Sequence, residues 1–153
     1  MERNTKILSV VAVVLIFLVV VLADMQFGFF PGFSSTNMKN ETFEGITVSV
    51  PVDANFTQSA WGPYDDDKLG LQVSSMESEL TILSFTKTLD DRNDMQRIML
   101  DGVPSGSICW KSDAGYTHIL VVNSDFTRGM CVGAKDNEKL AIQMANSVIF
   151  PEE

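Results

Sequence analysis

The longest apolar run lies near the start of the chain. Residues 7–23 read ILSVVAVVLIFLVVVLA and contain no charge. A helix of this length covers roughly 25 Å at about 1.5 Å per residue. That is close to the ~30 Å hydrocarbon core of a bilayer, and mild thinning of the bilayer covers the difference. Because the run has no polar face at helical spacing, it is not typical of a buried globular helix. The pattern predicts an N-terminal transmembrane helix over 7–23, with membrane lipid as its partner.

Charges beside this run predict its orientation. Arg3 and Lys6 precede it and Asp24 follows it. Positive charges favour the cytoplasmic side, so residues 1–6 are predicted to be cytoplasmic and the rest extracytoplasmic. A cleaved signal sequence is the alternative, because residues 21–23 (VLA) suit cleavage after Ala23. The apolar run exceeds the usual signal core of about 7–15 residues. We therefore favour a single-pass anchor in the cell membrane, and both interpretations place the remainder outside the cytoplasm.

Residues 24–41 are predicted to be a linker. Their Gly, Pro, Ser and Asn content is typical of a segment without regular structure. Four phenylalanines are unusual for such a linker in water. They either lie at the membrane interface, where aromatic side chains are enriched, or pack on the domain that follows. The aromatic residues are Phe27, Phe29, Phe30 and Phe33.

The pattern becomes that of a globular domain over 42–153. Apolar and polar residues alternate over 46–50, and Pro51 ends the predicted strand. A second alternation over 69–73, followed by the apolar Leu80 and Ile82, predicts a hairpin.

Two later segments have helical spacing. Residues 89–102 (LDDRNDMQRIMLDG) predict a helix that is capped by Asp90 or Asp91 and ends at Gly102. Its predicted apolar face contains Met95, Ile98 and Met99. A second helix is predicted over 136–149, with Asp136 as its cap. Its predicted apolar face contains Leu140, Ala141, Met144, Ala145 and Val148.

Residues 107–132 predict a meander of three strands. The turns fall at 112–115 and 123–125. Symmetric pairing about the turns places Ile108 opposite Ile119, and Ile119 opposite Met130, which gathers large apolar groups on one face. That face contains Ile108, Trp110, Ile119, Val121, Met130 and Val132. The other face contains Cys109, Lys111, His118, Leu120, Thr127 and Cys131.

The order of the elements is strands, helix, strands, helix. This order predicts an α+β fold in which an antiparallel sheet carries both helices on one face. Two segments add a resemblance to a known family, namely residues 43–51 (FEGITVSVP) and 145–150 (ANSVIF). Over 42–150 the chain resembles the PsbP-like domains, which are small extracytoplasmic α/β modules. Val52-Asp53 departs from the Gly and aromatic that usually follow the proline in that family. The resemblance implies the fold only and assigns no functional residue.

Composition limits the classes of function. Acidic residues outnumber basic ones by 20 to 11 and give the 153-residue chain a net charge of −9, which argues against binding to nucleic acid. With 2 cysteines and 1 histidine, the chain cannot form a four-cysteine zinc site or a multi-histidine centre. Apolar residues make up 45% of the chain, enough to bury a core.

Cys109, His118 and Cys131 fall in one row across the predicted meander. The two cysteines would be about 10 Å apart at Cα, beyond the ~7 Å limit for a disulfide. The extracytoplasmic location favours an oxidised pair, so a disulfide and two free thiols both stay open. A three-ligand metal site lacks visible supporting residues, and a thiol nucleophile with His118 as base lacks a third orienting group. No catalytic, metal-binding or cofactor-binding residue is assigned.

Other candidates have structural explanations. Asp65, Asp66 and Asp67 are consecutive, unlike the alternating ligands of a calcium loop, and predict a solvated acidic loop. Asp90, Asp91 and Asp94 are predicted as helix-start charges, and the methionines Met95, Met99, Met130 and Met144 as core residues. For Trp61 and Tyr64 we favour covering one end of the sheet over forming a contact surface. Asn40 and Asn55 begin N-glycosylation motifs whose use stays open.

These observations predict a membrane-anchored, extracytoplasmic accessory or binding domain that is not an enzyme. Its ligand is not predicted, and a protein partner in the envelope is the expected second contact. The first alternative is a structural envelope protein that self-associates through the anchor and the aromatic linker. The second is a small thiol- or metal-dependent enzyme that uses Cys109, His118 and Cys131.

Overall fold

A computed structural model describes residues 37–60 and 62–151. The predicted anchor over 7–23, residues 24–36 of the linker and Trp61 lie outside the described residues. Within the described part, no helix combines the length and the apolar character needed to cross a bilayer. The described residues from Met38 onward belong to one compact unit.

The domain is an α+β fold with 9 strands and 2 helices in the described residues. Regular structure begins within the segment predicted as linker, at Met38. The strands are β1 (Met38–Phe43), β2 (Ile46–Pro51), β3 (Thr57–Gln58), β4 (Tyr64–Asp66), β5 (Leu71–Met76), β6 (Met95–Ile98), β7 (Ile108–Ser112), β8 (Tyr116–Val122) and β9 (Gly129–Lys135). The helices are α1 (Glu79–Asp90), between β5 and β6, and α2 (Glu138–Asn146), after β9.

Seven strands form one antiparallel sheet in the order β3-β4-β5-β9-β8-β7-β6. β1 and β2 form a separate hairpin, and both residues of its turn, Glu44 and Gly45, have positive φ, as a type I′ turn requires. The hairpin is tied to the end of the fold by two backbone hydrogen bonds between Thr47 and Ile149, of 3.0 and 2.8 Å.

The helices lie on opposite faces of the large sheet, so the prediction that both pack on one face is wrong. Ala141 and Met144 of α2 pack with Ile119 of β8 and with the inner face of the β1–β2 hairpin. Ile82 and Leu89 of α1 pack instead in the cluster that contains Leu120, the next residue of β8. Because both faces of the sheet are covered, β8 and β9 are buried along most of their length and show no alternation of buried and exposed residues.

Several predicted elements are confirmed. The strand over 46–50 is β2, and the meander is β7, β8 and β9. The last helix is present as α2, but Asn137 is its cap, since the Asn137 side chain accepts a hydrogen bond of 3.1 Å from the Leu140 N–H. The predicted cap, Asp136, has a positive φ of 53° and forms the turn before the helix.

Two predicted elements are wrong. The hairpin over 69–82 is a strand followed by a helix, because Ser78 accepts a hydrogen bond from the Thr81 N–H and starts α1 at Glu79. The helix over 89–102 is replaced by strand β6. Met95 and Ile98 belong to different core clusters, as residues three apart on a strand must. Met99, predicted to be buried, is 98% exposed.

The register between β7 and β8 differs by one residue from the predicted one. Cys109, not Ile108, pairs with Ile119. The turn contains Gly115 at a positive φ of 95°, and the extra residue in the turn moves every side chain of β7 to the opposite face. Trp110 therefore shares a face with His118 and Leu120. Between β8 and β9 the shift is two residues, with Ile119 opposite Val132, so the predicted faces of these strands are preserved.

Candidate functional site

The structure does not bring Cys109, His118 and Cys131 together. His118 and Cys131 lie on the face covered by α1, whereas Cys109 packs in the cluster on the opposite face. β8 also lies between the strands that carry the two cysteines. Both thiols are free and buried. Within residues 37–60 and 62–151, no group of three His, Cys, Asp or Glu side chains is placed to hold a metal ion.

The two thiols are poor nucleophiles in this fold. Burial, and then the nearby Cys109 thiol, raise the pKa of Cys131 far above its ordinary value. Burial, and then the charge of Glu138, raise the pKa of Cys109. Both side chains therefore stay protonated at neutral pH. They are unreactive in this form, because the thiolate is the nucleophile.

A cavity of about 440 Å³ opens between the sheet and the C-terminal half of α1; we call it the His118 cleft. Phe85 and Leu89 of α1 form its apolar wall. His118 and Cys131 contribute to its floor from β8 and β9. Strand β4 contributes Asp65, so groups from both halves of the described chain meet at one site.

His118 is held close to the backbone of the next strand. It pairs with Gly133 of β9, and a Cβ at Gly133 would lie 2.7 Å from His118 Nδ1. Tyr116 stacks on the imidazole, with ring centroids 5.6 Å apart and an interplanar angle of 17°. The absence of a side chain at Gly133 thus leaves space for the imidazole, and stacking on Tyr116 fixes the orientation of the ring.

His118 is largely buried, and its ring nitrogens are available to a ligand. The residue is 8% exposed, neither ring nitrogen forms a hydrogen bond with any described residue, and neither belongs to the fully buried polar atoms without a partner. Burial, and then the Arg92 charge, lower the pKa of His118 to about 4, while Asp94 opposes the shift. The imidazole is therefore neutral at pH 7 and presents one donor and one acceptor nitrogen.

The charged groups of the cleft are unevenly matched. Arg92 and Asp94, in the loop after α1, form two hydrogen bonds of 2.9 and 2.6 Å. Hydrogen bonds from Arg92 lower the pKa of Asp94. Asp65, in contrast, has no ion-pair partner among the described residues. Burial, and then the Asp67 charge, raise the pKa of Asp65.

A neighbouring cavity of about 470 Å³ shares Ser74 and Phe85 with the His118 cleft. Its ionisable groups, Glu44 and Glu77, are both exposed to solvent. The His118 cleft is the stronger candidate site, because the described lining of the neighbouring cavity contains no buried ionisable side chain.

The predicted solvated loop at Asp65–Asp67 is wrong at its centre. Asp66 is buried, and its carboxylate accepts hydrogen bonds from the N–H groups of Asn55 (2.7 Å) and Leu69 (3.0 Å). Burial alone would raise the pKa of Asp66, but these backbone donors hold it below its ordinary value. Asp66 thus stabilises two turns, while Asp65 faces the cleft and Asp67 faces solvent.

The other candidates have structural positions. Tyr64 packs against the Phe43 ring at 5.0 Å and donates to Glu44 Oε1 at 3.0 Å, so it covers an edge of the core. Asp90 lies at the end of α1, where it binds Arg97, and is not a helix-start charge. Asn40 and Asn55 are both exposed. Three of the four predicted core methionines are buried, namely Met95, Met130 and Met144.

Sequence reasoning missed most of the cleft. Tyr116, Arg92 and Gln72 carry no motif, and they meet only through the non-local pairing of β5 with β9. One signal was available. Gly133 interrupts the apolar strand over 129–135 (GMCVGAK), and a glycine inside a strand often marks the close approach of another group.

No known protein-family model matches the chain, and no curated protein sequence shows significant similarity to it. The resemblance to PsbP-like domains stays a prediction. The structure shows an α+β architecture, with antiparallel sheets and two helices in the described residues.

Proposed function

We propose that the chain is a membrane-anchored, extracytoplasmic binding domain that takes a small molecule into the His118 cleft and does not transform it. One observation carries this proposal, namely the largely buried and neutral imidazole of His118, which forms no hydrogen bond with a described residue and lines a cavity of about 440 Å³. A cavity of this size is within the range that small ligands occupy.

The accessible ring nitrogens of His118 support a role in binding. Neither belongs to the fully buried polar atoms without a partner in the described residues, which are Ser107 Oγ and Arg128 Nε, so both can meet a molecule in the cleft. A ligand that donates to one ring nitrogen and accepts from the other would pair both. Gln72 and Ser74 line the same cleft and offer further polar contacts, while Phe85 and Leu89 offer apolar surface.

The electrostatics of the cleft favour binding over catalysis. Cys131 carries a protonated thiol, and a histidine with a pKa of about 4 is a weak base at neutral pH. Arg92 and Asp94 neutralise each other. The thiol-enzyme alternative also loses its third residue, because Cys109 lies on the other face of the sheet.

The location outside the cytoplasm rests on sequence. The apolar run over 7–23 and the preceding Arg3 and Lys6 support an anchor whose C-terminal domain is external. An envelope protein then becomes the natural second partner. Protease added to intact cells should digest the domain, and the undigested protein in the membrane fraction should keep the mass of residues 1–23. A mass that lacks those residues would contradict the anchor.

Binding is tested by NMR on full-length protein in nanodiscs with labelled histidine imidazoles. Because the chain has 1 histidine, its ring signals report the cleft directly. A library of small neutral and charged fragments should yield ligands that shift these signals. His118→Phe, which lacks the reporter signal and is measured by isothermal titration calorimetry in the same nanodiscs, should bind them more weakly. A library in which no fragment shifts the signals would overturn the proposed function. Turnover of a bound molecule that is abolished by one side-chain change would overturn the non-catalytic part.

A further inference from the structure

We infer that the His118 cleft selects a small organic cation, with Asp65 as its counter-charge and His118 as its hydrogen-bond partner. The inference rests on the proposed function and names the chemical class of its ligand. It is carried by the charge balance of the cleft and by the buried imidazole at its floor.

The described residues that line the cleft have one unbalanced charge. Its ionised groups are Arg92, Asp94 and Asp65, and the first two form a bidentate ion pair. Since His118 is neutral, the carboxylate of Asp65 remains. The chain as a whole carries a net charge of −9, which adds to the repulsion of an anion and to the attraction of a cation.

Among the described residues, no positive charge compensates Asp65. The charge of Asp67 raises the pKa of Asp65 after partial burial has raised it. Burial, and then the charges of Asp67 and Asp65, raise the pKa of Tyr116, which lines the cleft on the opposite side. A cation bound between Asp65 and Tyr116 would reverse these unfavourable interactions, because an opposite charge stabilises the ionised carboxylate.

The spacing sets the shape of the ligand. Register pairs Asp65 with Gln72, Gln72 with Gly133, and Gly133 with His118, so one row crosses four strands. At about 4.8 Å between strands, Asp65 and His118 are roughly 14 Å apart at Cα. The His118 ring fills the space beside Gly133, so Gln72 is the residue of this row that lies between the imidazole and Asp65. The ligand therefore needs a cationic end at Asp65 and, several ångströms away, a group that hydrogen-bonds to His118.

Aromatic and aliphatic walls favour an organic body between those ends. Tyr116 and Phe85 place ring surfaces beside the cleft. Aromatic faces attract cations and also bury apolar groups. An arylalkylamine combines these features, whereas a bare metal ion would leave both walls unused.

The test compares three ligands of one shape. Tyramine is cationic, tyrosol is its neutral analogue, and 4-hydroxyphenylacetate is an anionic analogue. Each is titrated at pH 7 into the full-length protein in nanodiscs, with the His118 imidazole signals as readout. We expect tyramine to bind about tenfold more tightly than tyrosol, which corresponds to one partly screened charge contact. The anion should bind most weakly, and added salt should reduce the differences.

Two variants locate the counter-charge. Asp65→Asn should reduce the affinity for tyramine about tenfold and leave that for tyrosol nearly unchanged. Asp53→Asn removes the same charge from an exposed turn outside the cleft and should preserve the preference for tyramine. Circular dichroism checks that both variants are folded.

The outcomes separate this inference from the proposed function. Equal binding of tyramine and tyrosol, or tighter binding of the anion, overturns the selection for cations while a binding cleft remains. An equal loss of affinity in the Asp65 and Asp53 variants overturns the role of Asp65. If none of the three probes shifts the His118 signals while other library fragments do, only the ligand class is wrong. If no molecule shifts them, the proposed function fails as well.

Discussion

A single carboxylate at the end of α1 joins three elements of the domain. Asp90 accepts a hydrogen bond of 2.9 Å from the indole N–H of Trp110 in β7. The same carboxylate accepts two hydrogen bonds from Arg97 in β6, of 2.9 and 2.8 Å. Hydrogen bonds from Arg97 and then Trp110 lower the pKa of Asp90. Because Trp110 is fully buried, the indole N–H depends on this residue for its partner.

Replacing Asp90 should therefore destabilise the fold. We expect Asp90→Ala to lower the free energy of unfolding by about 1–3 kcal/mol, because it leaves a buried N–H unsatisfied. Urea denaturation followed by tryptophan fluorescence measures the change. Asp91→Ala is the matched control, since the Asp91 side chain forms no hydrogen bond with another described residue. Equal losses in the two variants would show that charge alone, and not the contact with Trp110, matters.

The cysteines give a second prediction at this scale. Cys109 and Cys131 are buried on opposite faces, and burial raises the pKa of both thiols. We expect neither to react with iodoacetamide in the folded protein at pH 8, and both to react after unfolding. Mass spectrometry counts the adducts. An intramolecular disulfide in freshly purified, air-exposed protein would contradict the observed strand order.

β9 makes close contacts with both helix α1 and the His118 ring. Its face toward α1 carries two glycines, Gly129 and Gly133, at positions where a side chain would meet a neighbour. A Cβ at Gly129 would lie 3.2 Å from Cγ1 of Ile82, whereas one at Gly133 would collide with the His118 ring. The absence of a side chain therefore lets β9 contact α1 at Gly129 and the imidazole at Gly133.

This difference makes a matched pair of variants. Gly133→Ala should displace the His118 ring from Tyr116, shift the imidazole signals and weaken binding in the cleft. Gly129→Ala should press on Ile82 and leave the imidazole signals in place. Both should destabilise the fold by about 1–3 kcal/mol, as overpacked cores do. Histidine-selective NMR distinguishes the two, and unchanged ring signals in Gly133→Ala would contradict the described contact.

Elements with a local signal could be predicted from the sequence. The alternation over 46–50 identifies β2, and the turn residues around 113–115 and 123–125 identify the meander. Ser78 and Asn137 cap the helices, but only the second helix has a clear apolar stripe. On α1 both Leu80 and Leu83 are exposed, so its pattern resembled an extension of the preceding strand.

Elements buried on two sides could not be assigned in this way. Met95 and Ile98 lie on opposite faces of β6, and both faces are covered. Their spacing of three consequently looks helical although the chain is extended. The cleft could not be predicted either, because only the pairing of β5 with β9 places Asp65 in the same row of the sheet as His118. Such non-local pairing leaves no periodic trace in the sequence.

For the whole molecule, His118 couples stability to acidity. The charged groups facing it are Arg92 and Asp94, with Asp65 and Tyr116 farther along the cleft. The pKa of His118 falls from 6.5 to about 4 on folding, so the unfolded chain takes up the proton first as the pH decreases. Stability from this residue is complete above pH 6.5 and is lost progressively as the pH falls toward 4. The loss amounts to about 3 kcal/mol.

Urea denaturation at pH 7.5 and at pH 4.5 tests this coupling. The acidic residues titrate in every variant, so the quantity to compare is the pH-dependent loss in the wild type minus that in His118→Phe. We expect the wild type to lose more, by about 2–3 kcal/mol. His118→Gln, which keeps a polar side chain, should behave like the phenylalanine variant. Identical losses in all three proteins would mean that His118 does not carry the effect.

The bridge between Thr47 and Ile149 has a consequence for the order in which a ribosome makes this domain. β2 appears early, yet its backbone partner at Ile149 is translated only after all the strands and helices of the described residues. β5 must likewise wait for β9, which lies beside it in the sheet. The first strands to leave the exit tunnel thus carry apolar faces with nothing to cover them. On the emerging chain, these early strands are where a chaperone would bind and where a pause in translation would carry the greatest risk of aggregation.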